Sequence, residues 1–298
     1  MAGPTRRSVG WGCVAILWLG VVPLAHAAPI AFESFETYAA GADLNGNNNG
    51  VGWTAPWTAD AGHVTVQLKT LQVGGQTRAV RIQPTAAIGN DDSILSRAFP
   101  DTPGTLYLSL LLRVESFEND DFVQLQVSDG AVGDNSATLS FGVRNQTGNP
   151  FFARVGTSAN TTNAAVGAAD DTDYFLVAKF SRDGSVTFNR VDLFLNPTSP
   201  VEADHTPIAI RSTPSTGLNE LSLFNVRVNS LEADDRIFLD NLRIGTTFAD
   251  VVPAQSEVPE PGTLALWGLG LAAAVGWARC ASRRSRRSAR TCIPRFTC

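Results

Sequence analysis

From residue 63 onward, apolar side chains recur at every second position. Residues 63–69 alternate in this way, as do 78–83, 121–127 and 137–143. Successive side chains of an extended chain point to opposite faces, so this period predicts strands with one face on a core and one in water. Residues 105–114 form a fuller apolar run, as expected of a central strand buried on both faces. Further strands are predicted at 151–155, 174–180, 185–195, 221–228 and 236–244. Turn sequences such as Ser128-Asp129-Gly130, Arg182-Asp183-Gly184 and Asn196-Pro197 separate them. Between 28 and 245 no segment keeps a 3.6-residue apolar period for three turns. Many short strands without helices predict an all-β, antiparallel jelly-roll β-sandwich over residues 28–250. Within it, 28–62 reads as turn-rich and irregular apart from a strand near Phe32. Residues 156–172, rich in Gly, Ala, Asn and Asp, read as a long loop, the one place where a domain boundary would fit.

The two ends follow other rules. Arg6 and Arg7, an apolar stretch over 9–24 and Ala25-His26-Ala27 have the form of a secretory signal peptide, residues 1–27, with Ala25 and Ala27 at the signal peptidase site. Near the other end, Pro253, Pro259 and Pro261 mark a stalk over 251–262. An apolar segment, 263–278, follows. Its uncharged run is about 15 residues against the roughly 20 of a comfortable span. Trp267 and Trp277 suit its two interfaces. The seven arginines of 279–298 are expected to keep that tail cytoplasmic, so the segment is read as a transmembrane helix with the body outside.

Charge and cysteine content sharpen this partition. The whole chain has a formal charge of −5, but between 28 and 258 there are 14 Lys and Arg against 27 Asp and Glu. So acidic a body excludes nucleic acid as a partner, because phosphate binding needs a basic surface. All four cysteines (Cys13, Cys280, Cys292, Cys298) lie in the terminal segments. An exported body without disulfides must be held by its own core.

Val258-Pro259-Glu260-Pro261, the apolar segment and the basic tail together resemble the PEP-CTERM sorting signal of Gram-negative bacteria. That resemblance implies an exported protein, anchored in the inner membrane until an exosortase-type protease processes it for the cell surface or extracellular matrix. The tail from Ser285 to Cys298 runs on beyond the usual end of that signal. The body is similar to bacterial concanavalin A-like or laminin G-like sandwich proteins. The likeness rests on Phe32 and Phe35, on Gly52-Trp53 with Trp57, and on the closing Phe238-Leu239-Asp240-Asn241-Leu242-Arg243-Ile244-Gly245-Thr246. It implies a fold and not an activity.

The candidate chemistry is sparse. Asp43, Asn45 and Asn47 are spaced like the start of an EF-hand loop, but the sixth position holds Asn48 instead of Gly and the twelfth Thr54 instead of Glu. Loop carboxylates are the better candidates for Ca²⁺: Asp91, Asp92, Asp129, Asp134, Asp234 and Asp235, with further acids at Asp120-Asp121 and Asp170-Asp171. The alternative for all of them is a solvated acidic surface. A glycosidase would need two carboxylates facing one cleft. The nearest pattern, Glu232-Ala233-Asp234-Asp235-Arg236, has arginine where the third acid should be and falls in a turn. No nucleophile elbow is present, and the body holds only His63 and His205. Trp53, Trp57, Phe151 and Phe152 are candidates for stacking on a sugar, although aromatics at such spacings are more often core residues. Composition and motifs therefore point to a non-enzymatic surface protein, with extracellular polysaccharide as a candidate partner. A carbohydrate-binding lectin-like module is the alternative, and a glycoside hydrolase or lyase the second alternative.

Replacing Pro259, Glu260 and Pro261 with alanine is expected to leave the fold intact and hold the protein at the membrane. Immunoblots of membrane and medium fractions read this out, and unchanged processing would remove the exosortase assignment.

Overall fold

The computed structural model describes residues 28–71, 76–85, 90–130 and 138–252; the predicted signal peptide, sorting motif and transmembrane segment lie outside these residues. In chain order the strands are β1 (Ala31–Glu33), β2 (Thr58–Ala59), β3 (Val64–Leu68), β4 (Arg78–Ile82) and β5 (Asn90–Thr102). There follow β6 (Leu106–Glu115), β7 (Phe122–Ser128), β8 (Leu139–Val143), β9 (Pro150–Val155) and β10 (Thr161–Gly167). The last five are β11 (Asp173–Ser181), β12 (Arg190–Leu195), β13 (Ala209–Ser212), β14 (Leu221–Asn229) and β15 (Arg236–Gly245). One helical turn, α1 (Phe248–Val251), closes the body.

All pairings are antiparallel, and they build two sheets. The first runs β13-β12-β11-β6-β15-β4-β3, with β1 also on β15; the second runs β10-β9-β8-β7-β14-β5-β2. Every second side chain enters one shared core. Leu106, Leu108, Leu110, Leu112 and Val114 supply it from β6, Val123, Leu125 and Val127 from β7, and Phe224, Val226 and Val228 from β14. The sequence expectation of a sandwich holds. Two details differ. Residues 161–167 are not loop but the edge strand β10, paired to β9, so the body is not divided there. The strand expected from Ser185 begins only at Arg190.

The outer face of the first sheet is apolar as well. Tyr107, Leu111, Phe175, Val177, Phe194 and Phe238 form a second cluster, capped by Phe248, Val251 and Val252. Thr247 and Asp250 make a capping box that starts α1, and Ser109 Oγ donates to the Val251 carbonyl at 2.7 Å. The predicted central strand β6 is thus buried on both faces. The chain leaves the described body from this outer face.

A buried ion pair holds the irregular N-terminal stretch. Arg97 Nη1 lies 2.8 Å from Glu33 Oε2, with both side chains only 1% exposed. Glu33 also accepts from Phe35 N and Tyr38 Oη, while Arg97 donates to Ala55 O and Asn48 Oδ1. The guanidinium lies over Trp53 and Trp57 at 4.9 and 5.0 Å. Gly52 completes the contact: its φ is +80°, and a Cβ there would meet the Ile30 carbonyl oxygen at 1.8 Å.

Two expectations follow. Arg97→Ala strands a buried carboxylate and should cost about 3–5 kcal/mol in urea unfolding, while Glu33→Leu/Arg97→Met should cost less than either single change. Second, Asp240 is fully buried in β15, and burial, then the charges of Glu36 and Glu33, push its carboxyl up to about 8 against the lowering effect of the Asn241 N–H. Its folded-state proton is therefore released on unfolding above the ordinary carboxyl range. The stability it contributes is full below about pH 4 and is lost as pH rises toward about 8. The melting temperature should fall over that window, and Asp240→Asn should flatten the fall.

Candidate functional site

The second sheet carries an unusual outer face. Alternation places the even-numbered residues of β7, β8 and β9 opposite the core, and cross-strand pairing aligns them into rows. One row runs Thr161–Arg154–Ser140–Gln126–Asn225–Ser96–Thr58 across all seven strands. The next runs Asn163–Phe152–Gly142–Gln124–Arg227. These are not ordinary solvated positions. Gln124, Gln126, Ser140, Arg154 and Asn225 are all buried. Asn163 is exposed, and Arg144 and Arg227 are half-buried at the rim.

Buried amides and hydroxyls must find partners, and these largely find one another. Gln124 Nε2 donates to Ser140 Oγ at 2.7 Å, and Asn225 Nδ2 donates to Gln126 Oε1 at 2.8 Å. Arg154 donates from Nε to Thr161 Oγ1 at 2.8 Å and from Nη1 to Gln124 Oε1 at 3.3 Å. Its guanidinium also lies over the stacked rings of Phe152 and Phe122. Two features stay unanswered. Arg154 is 3% exposed and has no carboxylate partner among the described residues. Gln126 Nε2 is buried without an acceptor. Burial, then the neighbouring charges of Arg144 and Arg227, push the Arg154 guanidinium down to about 10. The face thus holds a buried positive charge and a spare N–H donor that no described side chain answers.

The residues singled out from sequence distribute as follows. Trp57 and Phe151 are core, and Trp53 packs on Trp57 at 5.6 Å. Phe152 is on the polar face but fully buried against Phe122, so it is not an open stacking platform. His63 is half-buried at the start of β3, and His205 stacks on Phe248; neither faces the rows. The Asp43 carboxylate accepts from Asn45 N and Gly62 N, a turn-closing role. Asp129 and Asp234 are exposed in turns, Asp134 lies outside the described residues, and β5 carries Asp91 and Asp92. Asp235 is buried and comes together with Asp121 and Glu232. The polar rows were not singled out from sequence. Their signal was present: the outward positions of 121–127 and 137–143 are Phe122, Gln124, Gln126, Thr138, Ser140 and Gly142, with no charged residue among them. Elsewhere, a cleft of about 270 Å³ is lined by Thr157, Asn160, Arg211 and Thr213 among others, with Arg211 Nη2 donating to Asn160 Oδ1 at 2.7 Å.

Comparison with known proteins identifies the C-terminal signal. Residues 257–284 match the PEP-CTERM protein-sorting motif. The motif marks its carriers for export and for processing by an exosortase in Gram-negative bacteria. Among the described residues, no helix is long and apolar enough to cross a membrane. No curated protein matches the sequence. Among solved structures, the chain is similar to an endo-β-1,4-glucuronan lyase from the fungus Trichoderma reesei, at 15% identity and a TM-score of 0.47, covering 74% of this chain and 100% of that one. The alginate lyase Aly36B is similar at 14% identity and a TM-score of 0.47, covering 74% and 98%. The cellulose-induced protein Cip1 is similar at 12% identity and a TM-score of 0.39, covering 64% and 91%.

Proposed function

We propose that this exosortase substrate is a non-enzymatic surface or matrix protein that binds an acidic extracellular polysaccharide on the outer face of its second sheet. The observation that carries this reading is Arg154: a buried guanidinium whose partners are all neutral. A uronate or similar anion would supply the missing counter-charge, and charge-assisted hydrogen bonds are the strong ones. Gln126 Nε2 would donate to a hydroxyl or carboxylate of the same chain, and Arg144 and Asn163 at the rim would meet neighbouring units. General acid–base chemistry needs a group that gains or loses a proton near neutral pH. The described rows hold Arg, Gln, Asn, Ser, Thr, Phe and Gly, and no Tyr, His, Lys, Asp or Glu. That composition supports retention of a polysaccharide over its cleavage.

Calorimetric titration with polyuronates and with neutral glucans tests the reading. Acidic polymers should bind in a salt-sensitive manner, and Arg154→Gln should weaken binding by about 10- to 100-fold, the worth of one hydrogen bond to a charged group. Equal binding of neutral and acidic polymers would overturn the proposal. So would the appearance of ultraviolet-absorbing unsaturated uronate ends on incubation, which would make the protein a lyase.

A further inference from the structure

The two connections that cross between the sheets at one end of the sandwich are near copies of each other. Ser116-Phe117-Glu118-Asn119-Asp120-Asp121 joins β6 to β7, and Ser230-Leu231-Glu232-Ala233-Asp234-Asp235 joins β14 to β15. Ser116 and Ser230 both take left-handed backbone angles, with φ of 56° and 60°. Phe117 and Leu231 both plug the core. Each turn is closed the same way: Asp121 N donates to Glu118 O and Asp235 N to Glu232 O, while Glu118 N and Glu232 N donate to Asp121 Oδ2 and Asp235 Oδ2. Since β6 pairs with β15 and β7 with β14, the two turns lie side by side.

We propose that these twin turns form a divalent-cation site, of the Ca²⁺ class, with Asp121, Glu232 and Asp235 as its side-chain ligands. One carboxylate oxygen from each can lie within 4.8 Å of the other two. Asp121 is fully buried and Asp235 is 2% exposed, yet no Lys or Arg pairs with any of the three among the described residues. The nearest cation in sequence, Arg236, is directed to Glu115 at 3.6 Å. Asp121 supplies the independent sign of a ligand: with Oδ2 used by the turn, its Oδ1 is buried without any hydrogen-bond donor, beside Glu232 and Asp235. Three carboxylates massed without a counter-charge are unfavourable, and a divalent cation neutralises most of that charge. The all-oxygen set is hard, which selects Ca²⁺ or Mg²⁺ over softer metals. Glu232 is exposed, leaving one side for the waters that fill a six- to eight-fold shell, and the flexible geometry of Ca²⁺ tolerates such a partial protein cage. The ion would clamp one crossover to the other, and its affinity would suit the millimolar Ca²⁺ outside cells.

The test uses the full chain, purified in detergent, stripped with EDTA and melted by tryptophan fluorescence, with no glycan present. Added Ca²⁺ should raise the melting temperature and saturate, shifting the folding constant about a hundredfold at one hundred times Kd. Glu232→Gln, at an exposed position, should fold normally and lose the response. Asp121→Asn should lose it too, and be at least as stable as the parent without metal. Asp234→Asn should keep it. No response of the parent to Ca²⁺, Mg²⁺ or Mn²⁺ would overturn the proposal, as would an undiminished response in Glu232→Gln and Asp121→Asn.

Discussion

A guanidinium taken out of water must have its charge answered, and this sandwich is organised by how it answers two of them. Arg97 is answered internally: one carboxylate, two neutral acceptors and two indole faces surround it, and the whole N-terminal stretch from Glu33 to Trp57 is wrapped to make that possible. Arg154 is at the same depth with only neutral oxygens and phenyl rings around it. The first arrangement is complete and serves the fold. The second is complete only in shape, and its missing counter-charge is the feature on which the proposed binding of an anion rests.

The pattern of the chain made most of the architecture legible, because period-two burial is what a strand on a core requires. Where strands escaped notice, the reason is local. In β5 the register shifts twice against β14, and the bulges break the alternation, so Ile94 and Leu95 are both buried though adjacent. β10 and β13 are edge strands with few buried positions, so they carry almost no apolar signal. The candidate face escaped for a different reason. Alternation separates the core side of a strand from the other side, but a polar residue at the second kind of position looks the same whether it meets water or a buried network. Only pairing across strands reveals that Arg154, Ser140, Gln126 and Asn225 stand in one line. The same holds for Asp121 and Asp235, far apart in sequence and joined only because β7 pairs with β14 and β6 with β15.

Acids and bases are also sorted in space. Three carboxylates without basic partners among the described residues, Asp121, Glu232 and Asp235, gather at a crossover end, while the described rows of the second sheet have arginines and no acid. A strongly acidic protein can in this way keep one surface suited to an anion, because fields between exposed charges fade within about 8–10 Å at physiological salt.

The place of Val251 and Val252 has a geometric consequence. Val251 and Val252 are pinned to the back of the first sheet by Ser109 and by the cluster around Phe248, on the opposite side of the core from Arg154. The sandwich therefore behaves as a shield carried by a handle fixed behind it. However long the tether and whether or not it is cut, its root never competes for the front. The outer face around Arg154 is thus left clear of the residues through which the body joins the sorting signal.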